Sequence, residues 1–257
     1  MKKNRKFEMI FICIVMALIF IPIVVTIIYS FNESRISSVW GGFSLKWYRE
    51  LFRDRDMFKA LGNSVLIAVL SCLISAVIGT LGAIGIKKSR FRLNPVISFV
   101  SSLPIMTPEI ILGMVYLLIF SFMGIPFGII TLVIAHTAFC IPYIFINVSA
   151  RLEGLDPHLE EAARDMGASP MRVFFDITLP SIIPALLSGM LLSFAMSFDD
   201  VVISIFVTGA SVNTLPIKIY TRMKNGVTPE INAIATLLIA ATVLVILIGR
   251  IAKSKKR

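Results

Sequence analysis

The sequence predicts an all-α membrane protein of six transmembrane helices with both termini cytoplasmic. Of its 257 residues 57% are hydrophobic and only 16% charged, against roughly 45–50% apolar, glycine included, and about 25% charged in a soluble domain. A single core of this length cannot bury so much apolar surface, so lipid is part of the solvent and an ordinary soluble enzyme is excluded. The apolar residues fall in uncharged runs of membrane-spanning length, and Lys and Arg are divided unequally between alternate connecting segments.

The first span, 8–29, follows a basic start containing Lys2, Lys3, Arg5 and Lys6. A cleavable signal has an apolar core of about 7–15 residues. The uncharged run 9–29 is longer and ends without a small-residue cleavage site, so it reads as an uncleaved span. After it, 45–52 mixes apolar and charged residues in the manner of an interfacial helix. The second span is 64–86; the third, 96–122, is interrupted by Pro104, Pro108 and Glu109. Residues 110–150 carry no charge, too long a run for one crossing, and Gly124, Pro126 and Gly128 supply a turn before a fourth span, 126–148. A polar segment, 151–180, precedes the fifth span, 181–206, and the sixth is 231–250.

An even number of spans puts both ends on one side. With the termini inside, the inner segments hold 16 Lys and Arg and the outer segments nine, the bias of cytoplasmic loops. The net charge of +10 is therefore mainly an orientation signal. The chain has no basic arm with interleaved aromatics, so no nucleic-acid partner is expected. Cys13, Cys72 and Cys140 each lie in an apolar run without metal-ligand spacing and read as buried small hydrophobes.

The polar segment predicts a helix-turn-helix in water. Asp156 and Pro157 suit an N-cap and first helical position, and Leu159, Ala162, Ala163 and Met166 share one face. Glu160 and Arg164 form an i,i+4 pair, and Gly167 suits the left-handed residue that ends a helix. Ser169 and Pro170 start a second helix, 171–179, with Met171, Phe174, Phe175 and Thr178 toward one side and Pro180 closing it. Alanines on a face permit close approach, which makes this a docking element as well as a connection.

Glu161-Ala162-Ala163, Gly167 after three intervening residues and Ile177-Thr178-Leu179-Pro180 after nine more resemble the EAA motif of ABC importer permeases. The six-span layout extends the resemblance to nearly the whole chain and implies the type I importer (MetI-like) fold as a single permease domain, 1–257. It also implies that Glu161, Ala162, Ala163 and Gly167 contact a separate ATP-hydrolysing subunit. This chain has no Gly-x-x-x-x-Gly-Lys-[Ser/Thr] stretch, so it binds no cofactor itself by this reading, and ATP with magnesium belongs to the ATPase.

The intramembrane acids carry the remaining signal. An ionised carboxylate at the bilayer centre costs roughly 2.5–3.5 kcal/mol and normally faces water, a partner or a pathway. On a straight helix Glu109 lies about 15 residues, or roughly 22 Å, beyond Asn94, and Asp199 and Asp200 roughly 27–29 Å beyond Ser181. All three then fall in the outer half or at its rim. Neighbouring residues diverge by about 100° on a helix, so one aspartate faces the pathway while the other bonds a neighbouring helix or loop. Such a pathway suits an organic cation such as a polyamine, with Phe198, Phe206 and Tyr220 available for cation–π contact or plain packing.

Ser197-Phe198-Asp199-Asp200, Phe206-Val207-Thr208-Gly209, Leu215-Pro216-Ile217-Lys218-Ile219-Tyr220, Pro108-Glu109-Ile110 and Ser30-Phe31-Asn32 resemble the permeases of spermidine/putrescine importers. That implies ATPase subunits, a second permease and an extracytoplasmic polyamine-binding protein as partners, a multi-pass place among the lipids of the bacterial inner membrane, and Glu109, Asp199, Asp200, Phe198 and Tyr220 along the substrate path. The alternatives are a permease for another small solute and an ATP-independent transporter or channel. An enzyme is disfavoured: neither His-Glu-x-x-His nor Gly-x-Ser-x-Gly occurs, and His136 stands alone in an apolar helix as a packed or hydrogen-bonded residue.

Overall fold

The structure is a computed structural model, all-helical among the described residues, which are 4–35, 39–89, 94–156, 158–210, 212–224, 226 and 229–254. Pro157 and basic residues 2, 3, 90, 92 and 255–257, invoked above for capping and orientation, lie outside them. The chain forms two compact units, residues 59–218 and residues 1–58 with 219–257.

The second of these units contains α1 (Asn4–Tyr29), α2 (Lys46–Arg53), the C-terminal part of α11 (Leu215–Met223) and α12 (Pro229–Ser254), and α12 packs against α1 and α2. No residue in the apolar stretch of α1 is fully buried, as expected of a helix whose solvent is largely lipid. Cys13 is accordingly exposed, contrary to the buried role expected of it, while Cys72 and Cys140 are buried. Asn32 organises the loop after α1. Its Oδ1 accepts from Gly41 N–H at 2.8 Å and Ser34 N–H at 3.2 Å, its Nδ2 donates to Val39 O at 2.8 Å, and its own carbonyl accepts from Trp47 Nε1–H at 2.7 Å. The amphipathic segment expected at 45–52 is α2, whose apolar side places Trp47 and Leu51 in the interior. Arg222, half-buried, bridges Asp54 and Glu230 and so ties the end of α2 to the start of α12.

The larger unit is built around α6 (Ile129–Glu153), most of whose apolar stretch is buried. Its neighbours are α3 (Arg55–Lys88), α4 (Asn94–Met106) and α9 (Leu179–Asp199), with α5 (Glu109–Phe122) and α10 (Val202–Val207) packed together beside them. Two glycines set the spacing. A Cβ on Gly79 of α3 would lie 3.1 Å from Ile144, and one on Gly189 of α9 3.1 Å from the Ile144 backbone, so both helices approach α6 at one level. One core joins Ile67, Phe120, Leu132, Phe139, Ile203 and Val207; another joins Ala76, Ile144, Phe145, Val148 and Ile182.

Four helices are long and apolar enough to cross a membrane among the described residues, Phe7–Tyr29, Arg55–Lys88, Ile129–Glu153 and Pro170–Asp199. The expected third span is not one rod: α4 and α5 meet at 107° across Thr107 and Pro108. Pro108 has no N–H to continue a helix and disfavours helical geometry at Thr107, so Glu109 begins a new helix. The depth of about 22 Å, which assumes a straight rod, therefore does not apply to it. The expected fifth span also divides, because Asp200 leaves helical geometry (φ −65°, ψ 125°) and α10 starts afresh. In the last unit of sequence, α12 carries an apolar stretch Pro229–Val245 where the sixth span was expected.

Gly209 tests the packing. A Cβ there would lie 2.2 Å from the backbone carbonyl oxygen of Phe127, whereas one on Gly85 meets nothing. We expect Gly209→Ala to cost about 1–3 kcal/mol by overpacking and to lower the thermal unfolding midpoint of the purified protein, while Gly85→Ala leaves it unchanged or slightly raised.

Candidate functional site

The polar segment after α6 forms α7 (His158–Asp165), α8 (Pro170–Val173) and a π-helical turn, Phe174–Thr178, leading into α9. Asp156 Oδ1 accepts from His158 N–H at 3.0 Å, and Gly167 ends α7 at φ +87°, both as expected. Ala168 N–H then returns to Ala163 O at 3.0 Å, closing the helix end. Ser169 caps α8 by accepting from Arg172 N–H, with Pro170 at the first turn.

Pro180 does not close this helix. The π turn lets Leu179 N–H bond Phe174 O, five residues back, and the helix runs on through Pro180 to Asp199. The extra residue in the turn loosens the ladder where proline would otherwise clash. It also shifts the helical register, so the expected side of Met171, Phe174, Phe175 and Thr178 is split: Thr178 is buried while Met171 and Phe175 are exposed.

Glu161 and Ala162 are exposed and Ala163 is half-buried, with Leu159, Met166, Met171 and Phe175 presenting apolar surface around them. Glu161 Oε2 lies 3.1 Å from His158 Nδ1. Glu160 has other partners than the expected Arg164, which acts on it only at longer range. Its Oε1 accepts from Thr178 Oγ1–H at 2.6 Å, and its Oε2 lies 3.1 Å from Lys88 Nζ at the end of α3. A cavity beside this contact is lined by residues including Ile84, Lys87, Leu152, Leu155 and Ser181. Neither the Lys88 nor the Thr178 contact with Glu160 was expected from sequence, since pairings across 72 and 18 residues leave no local pattern.

The three acids expected within the membrane come together at the two helix breaks. Glu109 opens α5 and is exposed; Asp199 ends α9 and is exposed; Asp200 is buried in the gap before α10. Glu109 lies within electrostatic reach of both aspartates, and Tyr143 of α6 within reach of Glu109. Asp200 is fully engaged. Its Oδ1 accepts from Ile203 N–H at 3.1 Å and its Oδ2 from Ser204 N–H at 2.7 Å, which caps α10, and Oδ2 lies 3.3 Å from His136 Nε2. His136 is hydrogen-bonded, as its solitary place in an apolar helix suggested. The pairing with Asp200 was missed, although Ser197 and Ser204, three before and four after that aspartate, are its polar company in sequence.

Phe198 is half-buried and stacked on Phe194 at 5.9 Å between ring centroids. Tyr220 belongs to the other unit, where Lys224 Nζ sits 4.9 Å from its ring centroid. No cluster of three or more potential metal ligands occurs among the described residues.

The Glu160 contact yields a pH dependence. Burial alone would raise its carboxyl, but the Thr178 hydroxyl and Lys88 ammonium outweigh burial and hold it below the ordinary 4.5. A depressed folded-state value stabilises above the unfolded one and loses that contribution as pH falls through the folded value. Hydrogen-exchange protection of α7 is therefore expected to fall as pH drops below about 4.5. Glu160→Gln should lose protection at neutral pH and flatten the acid response; equal protection of both proteins at neutral pH would contradict the contact's role.

Known proteins resemble this chain in sequence and in fold. Residues 75–254 match the family described as binding-protein-dependent transport system inner membrane component. The putrescine transport system permease protein PotI of Escherichia coli strain K12 is 42% identical over 230 residues, 87% of this chain and 82% of that protein. The spermidine/putrescine transport system permease protein PotC of the same strain is 40% identical over 248 residues, 96% and 94% of the two chains. Among solved structures, a bacterial ABC transporter involved in import of the acidic polysaccharide alginate aligns with TM-score 0.74 at 15% identity, covering 99% of this chain and 98% of that one. The inward-facing MetNI methionine ABC transporter aligns with TM-score 0.65 at 19% identity, covering 77% and 95%. At such identities these structures share the fold. By the family match and by the extent of both sequence relationships, the chain belongs to the binding-protein-dependent transport system inner membrane components.

Proposed function

We propose that the chain is a membrane-spanning permease subunit of an ATP-driven importer that carries polyamines, spermidine or putrescine, across the inner membrane. The observation that carries this reading is the acid group. Glu109 and Asp199 present exposed carboxylates at two helix breaks, within reach of each other and of Asp200, in a chain whose relatives are named for putrescine and spermidine. Desolvating two or more ammonium groups is costly, and fixed carboxylates along the route offset that cost. Phe198 and Tyr220 add aromatic faces; the Lys224 ammonium already rests on the Tyr220 ring.

In this reading the spans number six and both termini are cytoplasmic. The element at 151–180 couples to a separate ATPase, with Glu161, Ala162, Ala163 and Gly167 as contact residues and ATP with magnesium held by that subunit. A second permease completes the pathway, and an extracytoplasmic polyamine-binding protein delivers the cargo. ATP-driven closure of the ATPases moves α7. That motion reaches the membrane through the continuous helix from Pro170 to Asp199, whose last residue is one of the acids, and through Glu160 to Lys88 on α3.

Asp199→Asn keeps size and removes charge. Losing one charge-assisted contact of about 1.5–3 kcal/mol should depress uptake of radiolabelled spermidine or putrescine by about 10- to 100-fold, with the complex assembled at normal levels. Undiminished uptake by this variant would overturn the pathway role.

A further inference from the structure

The break between α9 and α10 is held from a third helix. His136 of α6 is 1% exposed and lies among the core residues Leu132, Ala135, Cys140 and Ile203. Its Nδ1 is 2.7 Å from Ser197 Oγ in the last turn of α9. Its Nε2 is 3.0 Å from Ser204 Oγ in the first turn of α10 and 3.3 Å from Asp200 Oδ2 between them. A proton on Nε2 accounts for the contacts there: Nε2–H donates to the Asp200 and Ser204 oxygens, while Nδ1 and the Ser197 hydroxyl share a hydrogen bond. The tautomer is assigned from this network. A single imidazole thus spans the gap across which no helical ladder runs, in surroundings where a polar group without partners is expensive.

The consequence extends to both exposed acids. Asp199 immediately precedes Asp200, so the direction of its carboxylate follows from where the chain turns at Asp200. Beyond the turn, α10 carries Phe206, and a Cβ on Gly113 would fall 2.5 Å from its ring. Gly113 lies one turn after Glu109, so α10 also sets the position of α5.

We propose that His136 is a positioning residue for transport: by binding Ser197, Asp200 and Ser204 at once it fixes the α9–α10 break so that Asp199 and Glu109 face one cation pathway. It touches no cargo, and Asp200, engaged in capping and in the histidine contact, acts with it as support for the other two acids. This assignment rests on the polyamine-permease reading.

The test uses the whole importer expressed in cells without other polyamine uptake, with radiolabelled spermidine as probe and His136→Phe, His136→Gln, Asp200→Asn and the His136→Phe/Asp200→Asn double variant compared. His136→Phe keeps a planar aromatic ring, somewhat larger than imidazole, and removes both nitrogens. It is expected to raise KM by about tenfold with the maximal rate changed less than about threefold, while His136→Gln, retaining a donor and an acceptor, recovers most of that loss. The double variant should be no worse than the worse single one, because the two residues act as a unit. Wild-type KM in His136→Phe, no recovery with Gln, or additive losses would overturn the proposal. If His136→Phe fails to accumulate, Ser197→Ala removes only the tie to α9; a KM raised about threefold supports the proposal and an unchanged KM overturns it. Full uptake by Asp199→Asn would instead sink the pathway reading. The 136–200 unit would then be judged on thermal midpoints of the same purified variants, with non-additive shifts expected and additive shifts contradicting it.

Discussion

A carboxylate within a bilayer has to be surrounded by water, hydrogen-bond donors or opposite charge, and the architecture of this chain follows from how it meets that requirement. The acids sit at helix breaks, where backbone N–H groups are free to serve as partners. Asp200 takes two such groups from α10 and a third contact from His136. That leaves Asp199 and Glu109 uncommitted at neighbouring helix ends. The 107° bend at Pro108 and the extended turn at Asp200 are thus two instances of one device: interrupting an apolar helix to seat a charge.

The same chain segment joins those acids to the polar segment that we propose couples to an ATPase. Where a second helix closed by Pro180 was expected, a π turn carries the helix through the proline, and thirty residues from Pro170 to Asp199 form one continuous element. At ~1.5 Å per residue this is an element of roughly 45 Å, long enough to link the segment beside α7 to Asp199. Glu160 adds a second route, since its carboxylate is shared between Thr178 of the π turn and Lys88 of α3.

Much of this was legible in the sequence, for definable reasons. Uncharged runs located α1, α3, α6 and α9, because lipid imposes length and apolarity directly. Gly167 and Ser169 revealed the end of α7 and the start of α8 through backbone requirements specific to those residue types. Pro104, Pro108 and Glu109 were recognised as an interruption, yet a proline does not state the angle at which the next helix departs. Pro180 misled in the opposite direction, since a π turn absorbs it and has no sequence signature of its own. The partners of His136, Glu160 and Asp200 were the least visible, because each depends on which residue of a distant helix comes to lie opposite.

The shared fold does not choose the cargo. An alginate transporter, named for import of an acidic polysaccharide, has the same architecture at 15% identity, so in the proposed reading the choice of a cation falls to side chains such as Glu109 and Asp199. The most direct test is ATP-dependent uptake into proteoliposomes containing this chain with its ATPase, second permease and binding protein, comparing spermidine and putrescine with an uncharged solute of similar size. The account predicts accumulation of the polyamines and none of the uncharged solute. Equal transport of all three would contradict it.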